Sequence, residues 1–268
     1  MKVSRSTRIA LKPESVWAEV QTAGLLQHIA WPLVRFIPAD DAAFESFQPG
    51  GRYQIKLRLF GMTPFGTQWI VTSLHEAKGT QWPKRLRDDG YSAIISKWDH
   101  WITVAPDKDG GTRYSDEVEV SAGALTPFIW AFAQIFYWHR QRRWRGLAKS
   151  LAARRVIAAE MAAYRSAVEA GDDDLVWHHL ERVHIVSQPY LGPHLASHGA
   201  MLAIAMRRHE WSEVLGQLVR IILAPLGAVT GRPPEGNTGR SNVSAFARIP
   251  IPEDLRFAVD RHDDRGRS

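Results

Sequence analysis

The chain has no cysteine among its 268 residues, which excludes disulfides, thiolate metal ligands and cysteine nucleophiles. Its stability must come from a packed core. It also has no long apolar run: the charge-free stretch from Gly123 to Trp138 falls short of the roughly 20 residues a helix needs to cross the hydrocarbon of a bilayer. The opening Met-Lys-Val-Ser-Arg-Ser-Thr-Arg-Ile lacks the apolar segment of a signal peptide, so the expected location is cytoplasmic. Lysine is missing from the far half: all eight lysines stand at or before Lys149, every later basic residue is arginine, and nine of the eleven tryptophans lie at or before Trp144. A shift of that kind marks two joined modules, expected at residues 1–150 and 151–268.

What is present is a globular composition, 45% hydrophobic and 23% charged, long enough for two ordinary domains. Residues 1–150 carry 20 Lys+Arg against 14 Asp+Glu, an excess of 20 − 14 = +6, while residues 151–268 carry 14 of each. The basic charges are scattered over predicted strands with no nucleic-acid-binding motif to organise them, so nucleic acid is not an expected partner. The run His139-Arg140-Gln141-Arg142-Arg143-Trp144-Arg145 admits docking on an anionic lipid surface. The preferred reading is plainer: the end of a sheet-covering helix that shows its arginines to water.

Alternation defines the first module. Val3 to Ile9 reads as a strand, and Pro13 opens a helix at the position where its missing N–H does least harm. Gly50-Gly51 breaks the chain before Tyr53, Ile55, Leu57 and Leu59, which alternate with Gln54, Lys56 and Arg58. Further strands are expected around Thr67 to Leu74 and Gln81 to Leu86. The clearest hairpin joins Ile94–Val104 to Arg113–Val120 through Asp107-Lys108-Asp109-Gly110-Gly111. Centring the turn on Asp109 makes opposed residue numbers sum to 218. Trp98, His100, Ile102 and Val104 then share one face with Tyr114, Asp116, Val118 and Val120. His100 and Asp116 are diagonal neighbours on that apolar face, within reach of a hydrogen bond. Such a pair serves either as a structural couple or as general base and orienting acid.

From Tyr114 to Arg145 the alternating Tyr-Ser-Asp-Glu-Val-Glu-Val passes through Ser-Ala-Gly-Ala-Leu-Thr-Pro into a long aromatic helix. This join, with Trp98-Asp99-His100 as a lesser echo, resembles the last strand and C-terminal helix of the START-like, or polyketide cyclase, superfamily. The resemblance covers about residues 1–153. It implies an α+β helix-grip fold, a curved antiparallel sheet around a long C-terminal helix, with an apolar cavity between them. A small hydrophobic or aromatic ligand would lie against Tyr53, Leu57, Trp98, His100, Asp116, Trp130 and Phe136, with Phe128 to Trp138 as the roof. Activities in that superfamily range from lipid transfer and hormone sensing to cyclisation and hydrolysis, so the fold alone does not choose among them. If this protein is an enzyme of cyclase or hydrolase type, His100 and Asp116 are the candidate catalytic residues.

After Val156 the pattern becomes helical. Helices are expected at Leu151–Ala170, stopped by Gly171; at Leu175–Ser187, capped by Asp172-Asp173-Asp174; at His194–Arg208, after a turn bracketed by Pro189 and Pro193; and at Ser212–Leu223. An offset of 38 aligns Ala162 with Ala200, Val176 with Val214, Leu180 with Leu218 and Arg182 with Arg220, a duplicated-hairpin pattern like that of helical repeats. His-Leu-Glu-Arg-Val-His at 179–184 and Gly-Asn-Thr-Gly at 236–239 resemble a small bacterial domain family of unknown function. The expected roles of this all-α module are contact with a protein partner or closure of the pocket.

Six histidines lie between His178 and His209. Glu181 and His184 are three apart on one helix, and His194 and His198 four apart on the next, spacings that let side chains meet one ion. Antiparallel packing across the Pro189–Pro193 turn would bring the two pairs together as a divalent site for zinc or iron. Against it, the Glu-x-x-His signature of di-iron bundles occurs once here, not twice. The Gly/Pro-rich segment from Thr230 to Arg256 reads as an extended strap across the helices, with Arg232 and Arg240 beside glycines that could cradle an anion. Asp260 to Ser268 reads as a disordered charged end.

Overall fold

A computed structural model of the chain describes residues 1–39, 45–76, 81–108, 111–230 and 235–259. They form two compact units, Met1–Ala148 and Lys149–Ser268.

In the first unit, strand β1 (Lys2–Ile9) leads to helices α1 (Pro13–Val20) and α2 (Ala23–Ala30), followed by strands β2 (Val34–Pro38), β3 (Arg52–Leu59), β4 (Thr63–Glu76), β5 (Lys84–Ser92), β6 (Lys97–Pro106) and β7 (Thr112–Ser121). Pro13 opens α1 in its first turn, and the Thr22 hydroxyl accepts the Leu25 N–H at 3.1 Å to cap α2. The seven strands form one antiparallel sheet in the order β1-β7-β6-β5-β4-β3-β2. With the long helix that follows β7, this is the α+β helix-grip arrangement expected of the first module.

Helix α3 (Thr126–Ala170) begins after the 3₁₀ turn Gly123–Leu125. Its buried residues Ala133, Phe136, Tyr137, Arg140, Gln141, Trp144 and Ala148 recur every three or four positions, the stripe of a helix lying against a sheet. Ala133, Phe136 and Tyr137 pack with Val3, Trp98, Val118 and Val120 in the main core. The run 139–145 therefore does not lie on one wet face. Trp138 is half exposed, but Arg140, Gln141 and Trp144 are buried, because they fall on the same helical stripe as the aromatics before them.

The β6–β7 register matches the expectation pair by pair: Trp98 opposes Val120, His100 opposes Val118, Ile102 opposes Asp116 and Val104 opposes Tyr114. Asp109, on which the turn was centred, lies outside the described residues. Elsewhere the expectations need correction. The strand expected at Gln81–Leu86 runs instead over Lys84–Ser92. The elements α2 and β2 had no counterpart in the sequence reading. No helix begins at Leu151, because α3 continues from Thr126 to Ala170 without regard to the change in composition near Lys149.

The second unit contains the end of α3, then α4 (Asp173–Ser187), α5 (Leu191–Arg207), α6 (Trp211–Thr230), a 3₁₀ turn (Glu253–Leu255) and α7 (Arg256–Val259). Gly171 has φ +70°, the left-handed conformation that ends a helix, and the Asp172 carboxylate accepts the Leu175 N–H at 3.0 Å. Helix α5 starts at Leu191 rather than His194 because Pro193 fits within a first turn, where no N–H is needed. Helix α6 passes Pro225 and extends to Thr230. Ala167, Val176, Trp177, Leu180, Met201, Ile204 and Ala205 form the core of this unit. The 235–259 segment is tied to α4 and α6: His184 meets the Asn237 carbonyl, Gln217 donates to the Gly239 carbonyl and Arg220 donates to the Arg240 carbonyl. The expected charged end, 260–268, lies outside the described residues. Among the described residues, no helix is long and apolar enough to cross a membrane.

Candidate functional site

Between the sheet and α3 lies a cavity of about 90 Å³. Its walls are apolar: Val20, Leu25 and Ile29 from the first two helices and their flank, Phe36, Leu57, Ile70, Leu86, Trp98 and Ile102 from the strands, and Ile129, Phe132 and Phe136 from α3. Polar side chains are few, namely Gln68, Thr72, Asp88, His100, Tyr114, Tyr137 and Arg140. The volume is several times the roughly 10–15 Å³ that one water requires, yet below the roughly 300 Å³ where pockets for drug-sized ligands begin. A single-ring or short aliphatic molecule matches that space.

The polar groups converge because period-two alternation on β6 and β7 puts His100, Tyr114 and Asp116 on the face that α3 covers with Arg140 and Gln141. The His100 Nε2 lies 2.9 Å from Asp116 Oδ1. The Tyr114 hydroxyl donates to the same oxygen at 3.0 Å, and Gln141 Nε2 donates to Asp116 Oδ2 at 3.0 Å. Arg140 Nη2 stands 3.7 Å from Asp116 Oδ1 and reaches the Tyr114 hydroxyl at 3.4 Å. Burial alone would raise the Asp116 carboxyl's pKa, but Arg140, His100 and Gln141 together hold it below the ordinary value. Burial lowers the His100 pKa despite the carboxylate beside it. Both directions favour a neutral imidazole beside a carboxylate. With its Nε2–H given to Asp116, His100 keeps Nδ1 as an acceptor.

Asp88 lies beside this network on β5. Its carboxylate accepts the Val71 N–H at 3.0 Å, and burial pushes its pKa up to about 7 against the opposing effects of that N–H and of Arg140.

Of the residues expected at the ligand, Leu57, Trp98, His100 and Phe136 border the cavity. Tyr53, Asp116 and Trp130 do not. The Tyr53 hydroxyl accepts the Gln48 N–H at 2.8 Å, Trp130 Nε1 donates to the Lys2 carbonyl at 2.9 Å, and Asp116 stands behind His100. In the expected roof, Phe128, Ile135 and Trp138 face outward, while Ile129, Phe132 and Phe136 line the space. Tyr137, within the expected roof, also lines the space, whereas Asp88 and Arg140 were missed as lining groups. The helical stripe Phe136, Tyr137, Arg140 carried the signal for Arg140, but arginine in a basic run reads as surface.

In the second unit, His184 near the end of α4 meets His194 and His198, one turn apart on α5. One ring nitrogen from each lies within 4.8 Å of the other two, and His184 Nε2 is 3.0 Å from His194 Nε2. His184 and His198 are fully buried and His194 partly so. Burial lowers all three pKa values, that of His194 to about 4, which favours neutral rings. The cluster could hold a metal ion. Glu181, expected as a fourth ligand, is not part of it: its carboxylate faces Arg240 at 3.7 Å. Arg240 also pairs with Glu213 at 3.5 Å and lies over the Trp177 ring. That leaves it committed rather than poised for an anion, and Arg232 lies outside the described residues.

Residues 7–148 match the family described as "Domain of unknown function (DUF8410)", and residues 151–259 match that described as "Protein of unknown function (DUF3703)". No curated protein matches the chain. Similar solved structures include a START superfamily protein from Mycobacterium smegmatis, 13% identical with a TM-score of 0.38, the match covering 56% of this chain and 98% of that one. A protein from Chromobacterium violaceum is 16% identical with a TM-score of 0.42, over 55% of this chain and 96% of its own. One from Nitrosomonas europaea is 15% identical with a TM-score of 0.42, over 57% and 97%.

Proposed function

We propose, for a chain that belongs to the family described as "Domain of unknown function (DUF8410)", that the first unit binds a small hydrophobic or aromatic molecule in the cavity between α3 and the sheet. The observation that carries this reading is the contrast within the cavity: walls of aliphatic and aromatic side chains, with His100, Asp88, Tyr137 and Arg140 among the few polar groups. An apolar body would gain from leaving water, at about 25 cal/mol per Å² buried. A single polar substituent would find donors or acceptors among those few groups. Native mass spectrometry of the full chain tests the reading. It predicts one small organic molecule, co-purified or taken up on incubation with benzyl alcohol, and its loss in a cavity-filling Leu86→Phe variant. A chain that neither carries nor takes up such a molecule would overturn it.

A second reading concerns the helical unit and is favoured by a separate observation, the convergence of His184, His194 and His198. It is the binding of a divalent metal, zinc or iron. Contact with a protein partner is also proposed for this unit, supported by Trp211, Leu215, Leu218 and Ile222, which recur at helical spacing on the exposed side of α6.

A further inference from the structure

This inference rests on the metal-binding reading and gives it a ligand set, a metal class and a supporting shell. We propose that the helical unit is a three-imidazole site for a zinc-class divalent ion, coordinated by His184, His194 and His198 through Nε2, with the fourth position left to water or an anion.

The hydrogen bonds around the rings choose the atoms. Gln217 makes three bonds: its Nε2 donates to Glu213 Oε1 at 2.7 Å and to the Gly239 carbonyl at 2.8 Å, and its Oε1 faces His198 Nδ1 at 2.7 Å. Both bonds from Nε2 go to pure acceptors, so the amide cannot be turned the other way. The opposing amide atom is therefore the oxygen, and His198 Nδ1 must carry a hydrogen and donate it. His184 Nδ1 faces the Asn237 carbonyl at 2.8 Å and must donate for the same reason. Both rings are left with an Nε2 lone pair, and His184 turns its own toward His194 Nε2. Fixing the tautomer of a ligating histidine through its other nitrogen is the usual task of the groups behind a metal site. Here Glu213, Gln217 and Asn237 are placed to do it.

The geometry is close to what an ion needs. Zn–N bonds of about 2.0–2.1 Å at tetrahedral angles separate the nitrogens by roughly 3.3 Å. Here the Nε2 atoms of His184 and His194 are already 3.0 Å apart, and a ring nitrogen of His198 lies within 4.8 Å of one on each of them. The His184 ring is held from the strap side as well: a Cβ added at Gly239 would lie 2.7 Å from it.

The ligand set also bears on the choice of metal. Imidazoles suit zinc, copper, nickel and iron, but the open iron(II) sites of the facial-triad type pair two histidines with a carboxylate. Glu181 is engaged with Arg240, and Glu213 with Gln217 and the Ser241 hydroxyl and N–H. Neither is placed as a ligand, which favours zinc over iron. Helices α4 and α5 supply three ligands, and the partly buried His194 marks the side on which a fourth can exchange.

The test uses the full chain, stripped with a chelator and titrated with Co²⁺ and Zn²⁺. One Co²⁺ per chain with the visible spectrum of four-coordinate cobalt is expected, displaced by Zn²⁺. His194→Ala should lower affinity at least about 100-fold, and Gln217→Ala about 10- to 100-fold, both with unchanged helix content. Nitrogen NMR of the metal-free wild type needs no variant and should show hydrogen on Nδ1 of His184 and His198. Absence of any bound ion overturns the metal-binding reading itself. Binding that survives His194→Ala, a six-coordinate cobalt spectrum, or Nε2–H tautomers at His184 and His198 overturns the three-imidazole arrangement while leaving metal binding elsewhere in place.

Discussion

His100 and Asp116 face each other across β6 and β7 with Nε2 and Oδ1 2.9 Å apart, and the carboxylate is the centre of the arrangement rather than its end. It accepts from His100, Tyr114 and Gln141 and neutralises Arg140. Removing it strands three donors and a buried cation, so Asp116→Ala should destabilise the first unit by about 3–5 kcal/mol. Urea unfolding followed by tryptophan fluorescence measures this, since nine of the eleven tryptophans lie at or before Trp144. A loss below about 1 kcal/mol would mean that the network is not a structural element.

Asp88 should give the first unit an unusual response to pH. Its folded pKa is raised to about 7 from an ordinary 3.8, chiefly by burial, so between those values the folded state holds a proton that the unfolded state has released. The stability contributed by neutral Asp88 is present at low pH and is lost as pH rises through about 7. Arg140, Asp89 and Asp99 are the charged groups that act on it. Stability measured between pH 5 and 8 should fall more steeply in the wild type than in Asp88→Asn, and identical slopes would contradict the assignment.

The strap over the helical unit depends on a glycine. Gly236 has φ +71°, and a Cβ there would lie 1.9 Å from the Ile249 carbonyl oxygen. Gly236→Ala should therefore cost about 1–3 kcal/mol and open 235–259 to proteolysis. Gly192, in the first turn of α5, has open space around its Cα, so Gly192→Ala should be neutral or stabilising by up to about 1 kcal/mol. Thermal melts of the two variants side by side check this, and equal effects would contradict it.

The hairpin was legible because two strands joined by a short glycine-containing turn have few possible registers, and alternation excludes half of them. That placed His100 beside Asp116 from residue numbers alone. Arg140 and Gln141 were not legible as interior groups: their burial depends on a carboxylate that arrives from a strand more than twenty residues earlier. In the helical unit, i, i+4 spacing brought out His194 and His198, and packing across a proline turn brought in His184. The same spacing argument admitted Glu181, which Arg240 draws away, and it had no means of finding Gln217 or Asn237, whose roles exist only once the strap is folded back. Helix α3 hid its continuity because composition changes near Lys149 while the helical period does not.

The central claim is that the cavity of the first unit takes a small apolar ligand, and isoleucine δ1-methyl NMR of the full chain during titration with benzyl alcohol tests it most directly. Saturable shifts are predicted at Ile70, Ile102 and Ile129, which line the cavity, with Ile185 and Ile204 of the helical unit unmoved. Leu86→Phe should weaken the effect at least about tenfold, equivalent to about 1.4 kcal/mol. Shifts that do not saturate, or that spread evenly over the methyls of both units, would contradict the claim.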